Sequence, residues 1–371
     1  MWQPQGIYNE FVIKSPTLLV GRESVMGLYN YPATRIAVIH SSSFYDFDLF
    51  RRVFKKKQVK FFLRSWSSEP SIENIRNTLG EIELYSPDTI IAVGGGSVID
   101  GAKLCRLFFE FPYFSPKVSR LDTGNLKTNF IAIPTTIGSG AEVSSSAVYL
   151  DNSHKDMVVS HELQPNVVVY DERYIEHSPL SFLSISALDA VAHILEGYVS
   201  NIENSFVEIK AEEGLKLLRE ELLNLIENKH ISYKRLQYAG YLGGIVQNHC
   251  IVGLAHAVAH QLTSYGFSHA EAVALLLPYV IRINFNQVSS KYNSICRQAG
   301  FTDVNDLILF IQHVNEYSGV DKRFNELCQI LLSNENNPEF LDNIRNDRGG
   351  KGNPIEITNE IIVNFIRSFS L

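Results

Sequence analysis

The texture of the chain changes once, near Asp171, and that change limits the folds open to it. Before it, short apolar runs of strand length (TLLVG, RIAVIHS, VKFFLRS, TIIAVGGGS, FIAIPTT and VVVYD) alternate with stretches of helical periodicity. After it helical spacing takes over, as in FVEIKAEEGLKLLREELLNLIENK and KRLQYAGYLGGIVQNHCIVGLAHAVAHQL. Continuous apolar runs suit strands buried on both faces, and their alternation with helices is the grammar of a parallel sheet covered by helices. We therefore expect an α/β N-terminal domain with a mostly parallel sheet over residues 1–172 and an all-α C-terminal domain over 173–371. The length of 371 residues agrees, because single cores stop growing at about 250–300 residues. Ser178 and Pro179 suit the N-cap and N1 positions of the first helix of the second domain. The segment Asn346 to Pro354, NDRGGKGNP, reads as a mobile polar loop whose Arg348 and Lys351 are solvated charges.

Two of the apolar runs end in turns suited to an anionic ligand. After Ile90 to Val93 come Gly94, Gly95, Gly96 and Ser97, and then a helical pattern from Val98. Glycines let a phosphate approach the backbone, and the helix start offers N–H groups and the positive end of its dipole. The spacing is neither G-x-G-x-x-G nor a Walker loop, since no G-K-[ST] follows. After Phe130 to Ile133 come Pro134, Thr135, Thr136, Gly138, Ser139 and Gly140, whose hydroxyls can bond ribose or phosphate oxygens.

The histidines point to a second chemistry. Of eleven in the chain, His256, His260 and His269 fall within one short window, with His249 just before it. Earlier, Asp189 and His193 stand one helical turn apart. An i, i+4 pair faces one way from a helix, so Asp189 with His193, and His256 with His260, each make half a metal site. Imidazole nitrogen and carboxylate oxygen suit Zn²⁺ or Fe²⁺, and a catalytic site leaves one position open. A single histidine is more often a hydrogen-bonded core residue, but the constellation asks for several coincidences at once.

In order along the chain, these segments resemble the iron-containing (group III) alcohol dehydrogenases, within the superfamily that also holds glycerol dehydrogenases and dehydroquinate synthases. GGGSVIDGAK resembles that family's pyrophosphate motif and PTTIGSGAEVSSSAVYLD its second cofactor loop. SPLSFLSISALDAVAHILEGYVS and GLAHAVAHQLTSYGFSHAEAVALLLP resemble its metal-bearing segments. The resemblance implies a Rossmann-like first domain and a metal held by Asp189, His193, His256 and His269, with His260 as a proton relay. It implies that Gly94, Gly95, Gly96, Ser97 and Asp100 meet the pyrophosphate, that Thr135, Thr136, Ser139 and Ser41 line the adenosine and ribose side, and that Lys155 approaches the nicotinamide ribose. The implied cofactors are Fe²⁺ or Zn²⁺ and NAD or NADP. The implied activity is hydride transfer between NAD(P)H and a small aldehyde or ketone, reversed for an alcohol. Two alternatives stay open: a cyclase of the dehydroquinate synthase kind, and a nucleotide-binding homologue without turnover.

The chain also departs from the family pattern. The spacing from His256 to His269 is one residue shorter, Ala270 and Ala187 stand where Gly is usual, and His249 where Asn is common. A tighter QLTSYGFS loop puts the position of His269 at issue. At the end of RIAVIH come Ser41, Ser42 and Ser43, where an acidic residue would bond the ribose 2′-OH and repel a 2′-phosphate, so NADP is permitted. No Arg stands in that serine run. Tyr265, Phe267 and Tyr149 are aromatic candidates for a substrate pocket.

Charge and composition exclude other classes. A formal net charge of −7 opposes nucleic acid, whose phosphates demand a basic face, and offers no attraction to anionic membranes. No apolar run approaches the roughly 18 residues that span a bilayer, and MWQPQGIYNEF is not a leader, so a cytoplasmic enzyme is expected. Cys105, Cys250, Cys296 and Cys328 form no C-x-x-C pair and read as reduced thiols, with Cys250 near enough to the histidines to be a conceivable soft ligand. The expected partner is a small aldehyde or alcohol; a homodimer is an open expectation.

Overall fold

The computed structural model describes residues 15–66, 69–114, 126–151 and 154–370. The reading of MWQPQGIYNEF lies outside these residues. The chain forms two compact units, one of Met1–Thr136 with Ala141–His177, the other of Ile137–Gly140 with Ser178–Leu371. The division falls a few residues beyond the expected 172/173 boundary, and four residues of the PTTIGSG turn belong to the helical unit.

In the first unit six strands make one parallel sheet: β1 (Thr17–Val20), β2 (Arg35–His40), β3 (Gln58–Leu63), β4 (Thr89–Gly94), β5 (Asn129–Pro134) and, after a separate hairpin, β8 (Val167–Tyr170). Their order is β1-β8-β5-β4-β2-β3. The hairpin pairs β6 (Ser146–Asp151) with β7 (His154–Val159) antiparallel. All six residues of β4 are buried, as the uninterrupted apolar run requires of a strand covered on both faces. The helices are α1 (Phe47–Val53), α2 (Ile72–Tyr85) and α3 (Gly96–Glu110). The chain leaves β2 toward β3 on one side and β4 toward β5 on the other, so the strand order reverses between β2 and β4. That is where an open α/β sheet binds ligands, beyond the carboxyl ends of its strands.

The hairpin is fastened to α3 by polar groups. Asp100 Oδ2 accepts the Val148 N–H at 3.1 Å, and the buried Lys103 ammonium donates to Ser146 O at 2.6 Å and to Ser144 O and Oγ at 3.1 and 3.0 Å. The Lys103–Asp100 pair, 3.3 Å apart, compensates two charges taken out of water. Burial raises the Asp100 pKa and lowers that of Lys103.

Among the described residues the second unit holds helices α4 (Leu180–Val199), α5 (Ser205–Ile226), α6 (Tyr233–Cys250), α7 (Leu254–Leu262), α8 (His269–Ala299), α9 (Val304–Ser318), α10 (Phe324–Ser333), α11 (Pro338–Asn346) and α12 (Asn359–Arg367). Three features differ from the sequence reading. First, α4 starts at Leu180 with Pro179 in the N-cap position and no side-chain cap, so Ser178 does not cap it. Second, α4 is itself long and apolar enough to cross a membrane, although 78% of its most apolar window is buried within the fold. Core burial from several sides accounts for that composition. Third, Asn346 to Pro354 is no solvated loop. Gly349–Gly352 forms a 3-10 turn, its three glycines buried, and a Cβ on Gly352 would lie 2.5 Å from Val252 O. The glycines let this backbone pack against the chain that enters α7.

The long helical stretch through the histidines is two helices. α6 and the helical segment that follows it meet at 101°, and Ile251 at the break has φ +59° and ψ 165°. A β-branched residue reaches that region only under strain, at a cost of about 1–3 kcal/mol. The far end of the break is tied down by Asn353, buried at 3% exposure, whose Oδ1 accepts the Leu254 N–H at 3.2 Å and the Asn284 amide at 2.9 Å.

Candidate metal centre

Three helices of the second unit supply the site. On α4, Asp189, His193 and Glu196 repeat at i, i+4 and i+7, which keeps them on one stripe. On α7, His256 and His260 are one turn apart, and His269 is the first residue of α8. From Asp189 Oδ1, the Nε2 atoms of His256, His269 and His193 lie at 3.6, 3.7 and 4.0 Å. The ligand atoms of Asp189, His256 and His269 all fall within 4.8 Å of one another; His193 is not in that set, although its Nε2 faces the same Asp189 oxygen. Ligands bound at about 2.0–2.2 Å to one ion stand roughly 3–4 Å apart, which these separations match.

The outer nitrogens explain why the inner ones converge. His193 Nδ1–H donates to Gly138 O at 3.0 Å, and His256 Nδ1–H donates to Glu196 Oε2 at 2.5 Å, so in both rings Nε2 is the nitrogen left to face Asp189, and it carries the lone pair whenever the ring is neutral. Glu196 Oε1 also accepts the Ala255 N–H at 2.7 Å, placing a buried carboxylate at the N-terminus of α7, where the helix dipole favours it. Asp189 Oδ1 and His256 Nε2 are buried and have no hydrogen-bond partner. A buried polar atom without a partner costs about 1–3 kcal/mol, and a cation between these two would satisfy both. The donor set, three imidazoles and one carboxylate, fits iron or zinc.

The charges agree. Burial pushes the Asp189 carboxyl up, but His193 and the other surrounding imidazoles outweigh it and hold the group well below the usual carboxylate range. Burial lowers His193 to about 4, leaving it a neutral donor. For His256 burial acts downward, but Asp189 and Glu196 raise it to about 9.

The Ile137–Gly140 turn belongs to this centre. Ser186 Oγ accepts the N–H groups of Ile137 and Gly138 at 3.2 and 3.0 Å, and Gly138 O holds His193. A Cβ on Gly138 would lie 2.4 Å from Ser186 O and 2.9 Å from Asp189 Oδ2, so only glycine fits. Ser139, expected on the cofactor side, sits in the same turn, and its carbonyl accepts the Gln247 amide at 2.6 Å. The short loop before His269 is braced rather than slack. Ser268 caps α8 in a reciprocal box with Glu271, and Arg323 stacks 3.8 Å over the Phe267 ring while donating to Gly266 O at 3.2 Å. Phe267 is buried by this packing and Tyr149 is buried in the first unit with its hydroxyl donating to Asp156, so neither offers a free pocket wall; Tyr265 is exposed.

His260 lies beside the centre, its ring stacked 5.1 Å from that of His269. Its Nδ1–H donates to Asp347 Oδ2 at 2.8 Å, and Asp347 Oδ1 accepts the Gly349 N–H at 2.7 Å. Cys250 is not among the residues that converge on Asp189, and burial pushes its thiol up to about 12. All four cysteines are free.

In the first unit the Gly-rich turn has the expected form. Gly95 is the N-cap of α3, a Cβ on Gly94 would lie 2.5 Å from Val98, and one on Gly95 would press on Thr136 at 3.1 Å. Thr135 N–H donates to Gly94 O at 3.1 Å, bringing both turns to one sheet edge. Ser97 Oγ accepts from Arg64 at 2.6 Å. Two expected cofactor residues have protein partners of their own: Asp100 is engaged by Val148 and Lys103, and Lys155 pairs with Glu69 at 2.5 Å.

Glu196, Asp347, Ser186 and Arg64 escaped the sequence reading. Glu196 alone left a signal, its i+7 place on the Asp189 stripe. Asp347 is far from His260 in sequence, and nothing local links them.

Residues 16–172 match the family described as iron-containing alcohol dehydrogenase, and residues 184–370 match the Fe-containing alcohol dehydrogenase family, C-terminal. An alcohol dehydrogenase of Thermococcus barophilus is 31% identical over 75% of this chain and 74% of its own length. Aldehyde-alcohol dehydrogenase 2 of Entamoeba histolytica is 30% identical over 64% of this chain, a match that covers only 29% of that longer protein. The structure of the iron-containing alcohol dehydrogenase from Thermococcus thioreducens superposes with a TM-score of 0.86 at 26% identity, over 97% of this chain and 99% of that one.

Proposed function

This chain belongs to the iron-containing alcohol dehydrogenase family, and from that premise we propose that it is a metal-dependent oxidoreductase moving a hydride between NAD(P)H and a small aldehyde or ketone, with the alcohol as substrate in reverse. The observation that carries the reading is the convergence of Asp189 Oδ1 with the Nε2 atoms of His193, His256 and His269 inside a buried site. These four residues would hold the ion, iron by family and zinc by the same donor chemistry. When bound, the metal supplies Lewis acidity toward a carbonyl oxygen and the nicotinamide supplies the hydride. Gly94, Gly95, Gly96 and Ser97 would bind the pyrophosphate through backbone N–H groups at the start of α3, with Ser41, Thr135 and Thr136 toward the ribose. His260, oriented by Asp347, would hold and pass a proton at Nε2.

Elemental analysis of anaerobically purified protein, followed by NADH and NADPH oxidation with two- to four-carbon aldehydes, tests the proposal. One iron per chain and aldehyde-dependent oxidation are expected. Stoichiometric metal with no oxidation of either cofactor by any aldehyde rejects it.

Metal uptake should depend on pH in a stated direction. Asp189 and His193 already have the forms that bind a cation, whereas His256, raised to about 9, must give up a proton. Apparent affinity should therefore rise about tenfold per pH unit up to about pH 9 and level off above it. The metal-free fold runs the opposite way. The raised pKa of His256 contributes stability that is present below about pH 6.5 and lost as pH passes about 9. Cobalt titrations followed by absorbance at four pH values measure the first effect, and pH-independent affinity would refute it.

A further inference from the structure

We propose that Arg64 reads the 2′-phosphate of the dinucleotide, making the phosphorylated cofactor, NADPH, the preferred one. The inference rests on the reading above only in that a dinucleotide binds at the carboxyl edge of the parallel sheet.

Three strand ends meet at the point where strand order reverses. In register, His40 pairs with Leu63 of β3 on one side and with Val93 of β4 on the other. One residue further on, Arg64 N–H donates to His40 O at 3.0 Å and Ser41 N–H to Val93 O at 3.3 Å. With the pyrophosphate at the first turn of α3, the adenosine ribose falls at the end of the neighbouring strand, here β2. That end is Ser41, Ser42 and Ser43, with Ser41 Oγ and Ser43 Oγ 2.8 Å apart. From His40 to Tyr45 there is no carboxylate, hence no group to pair with a 2′-OH and none to repel a phosphate there.

A phosphate also needs a cation, and the serine run has none of its own. The fold brings one from β3. Arg64 Nη1 donates to Ser97 Oγ at 2.6 Å, so the half-buried side chain reaches from the end of β3 to the first turn of α3, across the end of β2 that lies between them. Its segment is held in place. Trp66 Nε1–H donates to Ser97 O at 3.1 Å, and its ring fills the space that Gly101 leaves, where a Cβ would lie 2.1 Å from Trp66 Cζ2. Ser65 Oγ donates to Asn74 O at 2.8 Å on α2. A guanidinium held in this way presents a planar fork that suits phosphate oxygens, and an anionic phosphate is a stronger acceptor than the Ser97 hydroxyl. The serine hydroxyls at the end of β2 and the guanidinium that crosses that end offer a phosphate both hydroxyl donors and a cation, whereas NADH brings no second anion to this point.

The test measures binding of NADPH and NADH to the purified metal-loaded protein without aldehyde, by fluorescence or calorimetry, in wild type, Arg64→Gln and Ser41→Asp, alongside 2′,5′-ADP and ADP-ribose. Wild type should bind NADPH at least about tenfold more tightly than NADH. Arg64→Gln should lose about 10- to 100-fold for NADPH and 2′,5′-ADP, the loss expected for a hydrogen bond to a charged group, and less than about threefold for NADH and ADP-ribose. Ser41→Asp should weaken NADPH by at least about tenfold through repulsion, and it carries the test should Arg64→Gln melt early. Equal losses for both dinucleotides in Arg64→Gln would mean that Arg64 holds the pyrophosphate instead and would overturn the inference. So would tighter NADH binding by wild type, or NADPH binding untouched in Ser41→Asp. If neither dinucleotide binds, the oxidoreductase reading falls as well; if both bind without preference for NADPH, only this inference falls.

Discussion

Asp189→Asn should purify with little or no metal and lose about three orders of magnitude in kcat/KM for aldehyde reduction, roughly 4 kcal/mol of transition-state stabilisation. The substitution keeps the shape of the side chain and removes the one carboxylate whose oxygen faces all three imidazoles, at 3.6–4.0 Å. It also puts an amide where Asp189 Oδ1 and His256 Nε2 now lack partners. An amide N–H pointed at that imidazole lone pair would satisfy it without any ion, so the variant trades a cation site for a hydrogen bond. Elemental analysis and thermal melts with and without added iron provide the readout. Wild type should gain stability with metal, because a ligand that binds only the folded state stabilises it by mass action, and Asp189→Asn should not. Retention of one ion per chain by the variant would show that the carboxylate is not a ligand.

Glu196→Gln should weaken metal binding by about 10- to 100-fold while leaving the fold intact. In wild type, Glu196 makes two bonds from one buried carboxylate, to the Ala255 N–H at the start of α7 and to His256 Nδ1–H. Glutamine can accept from Ala255, but its amide group would then donate toward His256 Nδ1. That reverses the tautomer and puts a proton on Nε2, the atom that faces Asp189. The loss should therefore appear in affinity, read by cobalt titration, with a small change in melting temperature. Glu196→Ala should cost stability too, by about 1–3 kcal/mol, since it leaves the buried Ala255 N–H unsatisfied. A Gln variant with wild-type affinity and an Ala variant that merely melts earlier would reduce Glu196 to a helix cap.

Much of this architecture was legible in the chain because strands and helices write their burial locally. Ile90 to Val93 and Phe130 to Ile133 are apolar without interruption, so they read as central parallel strands, and they are. The i, i+4 pairs Asp189/His193 and His256/His260 made half-sites visible for the same reason, and Glu196 stood on the same stripe one further step away. The signals failed where backbone geometry breaks its own pattern. Nothing in the composition of QNHCIVGLAH announces a 101° turn, because the residue at the break, Ile251, is one that ordinarily avoids positive φ.

What the sequence by itself determined was the inventory: a parallel sheet, a glycine turn before a helix, and imidazoles and a carboxylate on helical faces. Periodicities of two and 3.6 residues are properties of neighbours along the chain, and they survive without knowledge of the rest. The tertiary structure alone decided the company these groups keep. It drew Ile137–Gly140 from an apparent cofactor loop into the helical unit behind His193, set Asp347 against His260 from a segment that looked solvated, and delivered Arg64 from β3 to the turn of β4. Each of these depends on which buried surfaces pair over long sequence separations, and no local spacing encodes that choice.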